Sequence, residues 1–144
     1  MEYRELGENG PLIPVIGLGT WQLGGGMGHV SQQTGIQTVQ KAVDTGITLI
    51  DTAQLYRCSE ELIGKALRGG RRDKVFLATK VSWKFSKKDI TKAMDNSLRM
   101  LQVDHVDLYQ IHWFDEGYSI TESMDTMAKL QEQGKTKYIG LSNF

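Results

Sequence analysis

The chain has 144 residues, which is enough for one domain with a real core and too few for several. Its 17 basic and 17 acidic residues cancel, so no global field favours nucleic acid or an anionic membrane surface. A single cysteine, Cys58, excludes an internal disulfide and suits a reducing compartment. With no apolar run of membrane-spanning length and no leader-like segment, a cytoplasmic location is expected.

Glu2 to Leu6 and Leu12 to Pro14 flank Gly7-Glu8-Asn9-Gly10-Pro11, and the central Asn-Gly predicts a hairpin. Val15 to Trp21 reads as a buried strand. The glycine-rich Gly24-Gly25-Gly26-Met27-Gly28 that follows lacks the spacing of a phosphate cradle and is expected to be a mobile loop. A helix is predicted from about Gln32 to Thr45, with Ile36, Val39, Ala42 and Val43 on one face and Gly46 as its stop. Ile47 to Ile50 is a short apolar strand that runs straight into Asp51.

Ser59 is expected to cap a helix to Leu67, with Glu60 and Glu61 in its first turn. Arg68 to Lys74 reads as a solvated connection to a strand ending at Lys80. Ser86-Lys87-Lys88-Asp89 opens a helix to about Leu101, and Val106 to His112 is the next strand. Ser119 to Glu122 fits a capping box for a helix that buries Met124, Met127 and Leu130 and closes at Gly134. Thr136 to Leu141 is the last strand. His29 and His105 read as surface residues. After the hairpin, strand and helix alternate four times before a lone strand, which predicts a parallel α/β sheet in one domain spanning 1–144.

Chemistry-bearing residues gather at the strand ends. Asp51, Lys80 and His112 each close a strand, and Tyr56 sits in a loop just beyond Asp51. Parallel α/β folds place their chemistry on this face. A phenol near pKa 10 is a poor proton donor at neutral pH. A lysine charge about 4 Å away interacts by roughly 4 kcal/mol at an effective dielectric of 20, which could move the phenol roughly three units toward neutrality. A carboxylate is needed beside a buried lysine to keep it charged.

Five motifs carry a resemblance to a known family. They are Gly17-Leu18-Gly19-Thr20-Trp21; Asp51-Thr52-Ala53 with Tyr56; Ser59-Glu60-Glu61-Leu62-Ile63-Gly64; Ala78-Thr79-Lys80 with Val106 to Trp113; and Gly140-Leu141-Ser142-Asn143-Phe144. With these the chain resembles the aldo-keto reductases, (β/α) barrels that use NADPH to reduce aldehydes and ketones. The resemblance implies a partial TIM-type barrel made of an N-terminal β-hairpin plus five parallel strands with four helices. It implies a catalytic tetrad of Asp51, Tyr56, Lys80 and His112. In it Tyr56 acts as general acid, Lys80 lowers its pKa, Asp51 holds Lys80, and His112 orients the carbonyl. Thr20, Ser142 and Asn143 fall on cofactor-binding positions, and Trp21 and Trp113 on the substrate pocket. No metal is implied.

Two departures from the family pattern stand out. Tyr56 is followed directly by Arg57-Cys58-Ser59, a short loop with a bulky cation that could displace the phenol or add a second charge. The second is that the matching residues cover the N-terminal half of the family's barrel. The expectation is therefore the N-terminal part of an NADPH-dependent reductase of small carbonyl substrates. The alternative from another class is a non-catalytic half-barrel serving as a binding or assembly module. A five-stranded sheet would have two open edges, which predicts self-association or pairing with a missing C-terminal half.

Overall fold

The computed structural model describes all of residues 1–144. A hairpin of β1 (Tyr3–Glu5) and β2 (Leu12–Pro14) precedes a parallel five-stranded sheet ordered β3-β4-β5-β6-β7. Those strands are β3 (Gly17–Gly19), β4 (Leu49–Asp51), β5 (Phe76–Val81), β6 (Val106–Ile111) and β7 (Thr136–Leu141). Four crossover helices connect them: α1 (Gln32–Asp44), α2 (Ser59–Ala66), α3 (Lys87–Leu101) and α4 (Ile120–Glu132). The expected alternation is what forms, and the last strand has the expected bounds. β3 is shorter than expected because Val15 and Ile16 lie outside the ladder and stay exposed.

Local chemistry explains the helix ends. Ser31, Ser86 and Ser119 adopt extended backbone and their hydroxyls accept from the amides of Thr34, Asp89 and Glu122, satisfying first-turn donors. At α2 the expectation is corrected: Cys58 occupies the capping position without a side-chain bond to the helix, and Ser59 is the first helical residue, fully buried. Gly46 and Gly134 stop α1 and α4 with φ of 91° and 73°, values a side chain would strain.

The core lies between the sheet and the helices. Ile50, Leu77 and Tyr109 on the helix-facing side of the strands pack with Val39, Leu62, Ile63, Ile90, Met94, Leu101, Met127 and Leu130, all almost fully buried. Met127 belongs to this core and Met124 packs at its margin. Strand register puts Asp51 beside Ala78, Ala78 beside Leu108, and Lys80 beside Gln110 and thence Gly140. Because strand side chains alternate, Leu49, Asp51, Phe76, Ala78, Lys80, Leu108, Gln110 and Tyr138 share the opposite face. Several of them are only half-buried, and Phe76 stacks on Tyr138 at 6.2 Å. No helix is long and apolar enough to cross a membrane.

At the far end of the strands the Arg68–Lys74 connection is less solvated than expected. Arg72 reaches Asp107 at 2.9 Å, and Lys137 binds the other carboxylate oxygen at 2.8 Å. The Leu77 amide also donates to Asp107 at 2.8 Å, and these partners hold its carboxyl below the usual range against the cost of burial.

Helices α2 and α3 touch at Gly64. A Cβ added there would lie 2.6 Å from the Leu101 carbonyl oxygen and 2.8 Å from that of Met100. Both are backbone atoms that cannot swing aside. Gly64→Ala gains up to about 1 kcal/mol of helix propensity, but overpacking costs typically about 1–3 kcal/mol or more. A net loss of about 2 kcal/mol is expected, read as a lower urea midpoint with an unchanged slope.

Candidate active site

The strand ends bring Asp51, Tyr56, Lys80 and His112 together on the face opposite the helices. Lys80 is 5% exposed, and its ammonium donates to both Asp51 carboxylate oxygens at 2.7 and 2.8 Å and to the Thr52 carbonyl at 3.0 Å. Those three acceptors use all three ammonium protons, and the ion pair makes burial of the charge tolerable. The ammonium lies 5.5 Å from the centre of the Tyr56 ring.

The Tyr56 ring meets His112 edge-on at 5.7 Å. Its position is fixed by the tight loop, in which the Tyr56 amide donates to Ala53 and its carbonyl accepts from Ser59. With this short loop the Tyr56 ring lies beside both Lys80 and His112. Arg57 takes a left-handed φ of 51° and turns outward into an exposed position. The glycine-rich loop packs against this turn, with a short 3₁₀ stretch at Gln22–Gly24. A Cβ on Gly24 would fall 2.0 Å from the Tyr56 carbonyl oxygen, so only glycine permits this approach.

Electrostatics differ from the expectation in one respect. Burial raises the pKa of Tyr56, and the negative charge of Asp51 raises it further. The Lys80 ammonium spends its three protons on Asp51 and Thr52 and gives none to the phenol. The phenol is therefore fully protonated at neutral pH. His112, 3% exposed, has its pKa pushed down to about 4, first by burial and then by the Lys80 charge. Trp113 stacks on it, ring centres 3.6 Å apart and planes within 15°. Ser82 Oγ lies 3.2 Å from His112 Nδ1. In the tautomer in which Ser82 donates to Nδ1, and not to the Lys80 carbonyl 3.5 Å away, the neutral imidazole carries its proton on Nε2.

This pKa sets a testable pH dependence. The folded value lies below the ordinary 6.5, so the unfolded chain binds the extra proton first. The contribution of neutral His112 to stability is complete above pH 6.5 and is lost as pH falls toward 4. At about 1.4 kcal/mol per unit the full loss is of order 3 kcal/mol. His112→Asn should therefore narrow its stability gap to the unsubstituted protein between pH 7 and 4, measured by urea unfolding. A gap independent of pH would contradict the assignment.

The remaining expected residues fall as follows. Asn143 donates to the His112 carbonyl at 2.8 Å and to Ser142 Oγ at 3.0 Å, leaving its own Oδ1 and the Ser142 hydroxyl proton uncommitted. Trp21 is half-exposed beside the glycine-rich loop, and Trp113 borders the site through His112. Thr20 is fully buried, and its hydroxyl donates to the Asp51 carbonyl at 2.8 Å. Sequence reasoning passed over Ser82, although its place two residues beyond Lys80 puts it on the same face. It also passed over Thr52, whose carbonyl completes the Lys80 cage.

An ion-paired lysine, a phenol and an imidazole thus meet at the carboxyl ends of parallel strands, the face on which parallel α/β folds place their chemistry. The Aldo/keto reductase family profile matches residues 15–144, and the chain belongs to that family. It is 44% identical to the aldo-keto reductase YhdN of Bacillus subtilis over the whole chain and 47% of the relative. Methylglyoxal reductase YeaE of Escherichia coli is 37% identical over 91% of the chain and 46% of the relative. Among solved structures, the thermostable aldo-keto reductase Tm1743 with the inhibitor epalrestat superposes with a TM-score of 0.93 at 40% identity, covering 100% of this chain and 54% of that one. An aldo-keto reductase of Klebsiella pneumoniae in complex with NADPH gives 0.86 at 37% identity, covering 100% and 51%. The chain thus spans about half the length of the relatives it matches.

Proposed function

We propose that the chain carries the proton-donating face of an NADPH-dependent reductase of aldehydes and ketones. The observation behind this reading is the buried Lys80 ammonium, saturated by Asp51 and Thr52, lying 5.5 Å from the Tyr56 ring. A protonated phenol beside a neutral ion pair and a neutral imidazole is a donor site for an oxygen that gains negative charge. The relatives named as methylglyoxal reductases support a small carbonyl compound as substrate.

The residues at the end of β7 suit a nicotinamide carboxamide. The free Ser142 hydroxyl proton matches its carbonyl, and the free Asn143 oxygen matches its amide. When bound, the nicotinamide supplies the hydride. The side chains of this chain do the rest. His112 Nε2–H orients the substrate oxygen, and Tyr56 O–H gives that oxygen its proton as the carbon is reduced. The resulting phenolate takes its proton back from solvent, and the Lys80–Asp51 pair keeps the surroundings polar without adding net charge. Trp21 and Trp113 would wall the apolar part of the substrate, and Thr20 would act by holding Asp51 at the strand end.

The test is a titration with NADPH followed by its fluorescence. Saturable change is expected, weakened in Asn143→Ala, and no change at any protein concentration would overturn the cofactor assignment.

A further inference from the structure

The first residue of α2 faces away from solvent and into a chain of hydroxyls. Thr52 Oγ1 lies 3.0 Å from Ser59 Oγ, Ser59 Oγ lies 2.8 Å from Thr20 Oγ1, and Thr20 Oγ1 donates to the Asp51 carbonyl at 2.8 Å. All three side chains are completely buried. Each hydroxyl has one proton to give, and the terminal acceptor fixes the direction of the chain. Thr20 gives its proton to Asp51, Ser59 gives to Thr20, and Thr52 gives to Ser59.

The ends of this relay are the two residues that cage Lys80. Thr20 holds the backbone of Asp51, whose carboxylate takes two ammonium protons, and Thr52 offers the carbonyl that takes the third. Ser59 is the one member shared by both halves. It joins β3, the end of β4 and the start of α2 at a single oxygen. The next residue, Glu60, repeats the device toward β5, where it accepts from the Thr79 hydroxyl at 2.8 Å, immediately before Lys80.

From this we infer that Ser59 is a positioning residue for the Asp51–Lys80 pair, acting through Thr20 and Thr52 and touching neither substrate nor cofactor. Its role in turnover rests on the function proposed above, but its effect on the ion pair does not. Loss of the Ser59 oxygen leaves the Thr52 hydroxyl without an acceptor and Thr20 without a donor. The Thr52 hydroxyl is then buried and unsatisfied, Thr20 keeps its bond to the Asp51 carbonyl but loses the donor that orients it, and the Asp51–Thr52 segment gains freedom to open.

The experiment follows hydrogen exchange of the Lys80 ammonium by lysine-selective ¹⁵N NMR in the folded protein. Ser59→Ala should speed that exchange about tenfold or more. Ser123→Ala is the comparison, because it removes an equally buried hydroxyl that donates to the Phe85 carbonyl at 2.9 Å, away from the relay. It should leave Lys80 exchange unchanged. Should Ser59→Ala not fold, Thr52→Val removes the first hydroxyl of the relay at nearly constant shape and should also speed exchange. Where aldehyde reduction is measurable, Ser59→Ala should lower kcat with little change in KM. Unchanged Lys80 exchange in the relay variant, or equal acceleration in Ser123→Ala, would overturn the inference. Absence of turnover in the unsubstituted protein would strike the proposed function and leave the exchange result standing.

Discussion

Tyr56→Phe is expected to lower carbonyl reduction by about 10²- to 10⁴-fold, the usual worth of a positioned general acid. The substitution removes one oxygen that has no hydrogen bond inside the chain and keeps the ring that meets His112 edge-on at 5.7 Å. Stability should therefore change by about 0.5 kcal/mol or less. This separation of turnover from folding distinguishes a donor from a packing tyrosine. Phenylalanine also retains the contact with the Lys80 region, so the ion pair should stay in place. Steady-state rates and urea unfolding of the same preparation check both halves. A Tyr56→Phe protein with undiminished kcat would remove Tyr56 from the chemistry.

The second large effect is an asymmetry within the ion pair. The Lys80 side chain is 7% exposed and that of Asp51 is 39% exposed. Asp51→Asn leaves a buried ammonium facing a neutral amide, while Lys80→Met leaves a carboxylate that water can reach. Removing the partner of a fully buried charge costs about 3–5 kcal/mol. Asp51→Asn should approach the lower end of that range, at about 2–3 kcal/mol, because the site is open on one side. Lys80→Met should cost about 1 kcal/mol or less, since its aliphatic stem is replaced and the remaining charge is hydrated. Both should lose most of any turnover. Urea midpoints at neutral pH give the order, and a Lys80→Met protein less stable than Asp51→Asn would contradict the burial argument.

The order of elements was readable because strand and helix periods differ and the helix ends carry their own chemistry. Ser86 and Ser119 cap where expected, and Gly46 and Gly134 stop helices where expected. The gathering of Asp51, Tyr56, Lys80 and His112 was readable from their places at strand ends. What stayed hidden depends on contacts far apart in sequence. Ser59 has the residue type of a cap, but the tight turn after Tyr56 moves the cap to Cys58 and swings Ser59 toward Thr20. Arg72 looked like one of several solvated cations until β6 placed Asp107 beside it. The Tyr56 pKa is raised by burial and by Asp51, while Lys80 spends its protons on Asp51 and Thr52, an arrangement that spacing along the chain does not encode.

Aldehyde-dependent consumption of NADPH by the purified protein, with the alcohol product counted against the cofactor consumed, tests the central claim most directly. One alcohol is expected per NADPH consumed, at a rate that falls with Tyr56→Phe and with Lys80→Met. NADPH that binds the protein yet is not consumed in the presence of a small aldehyde such as methylglyoxal would contradict it.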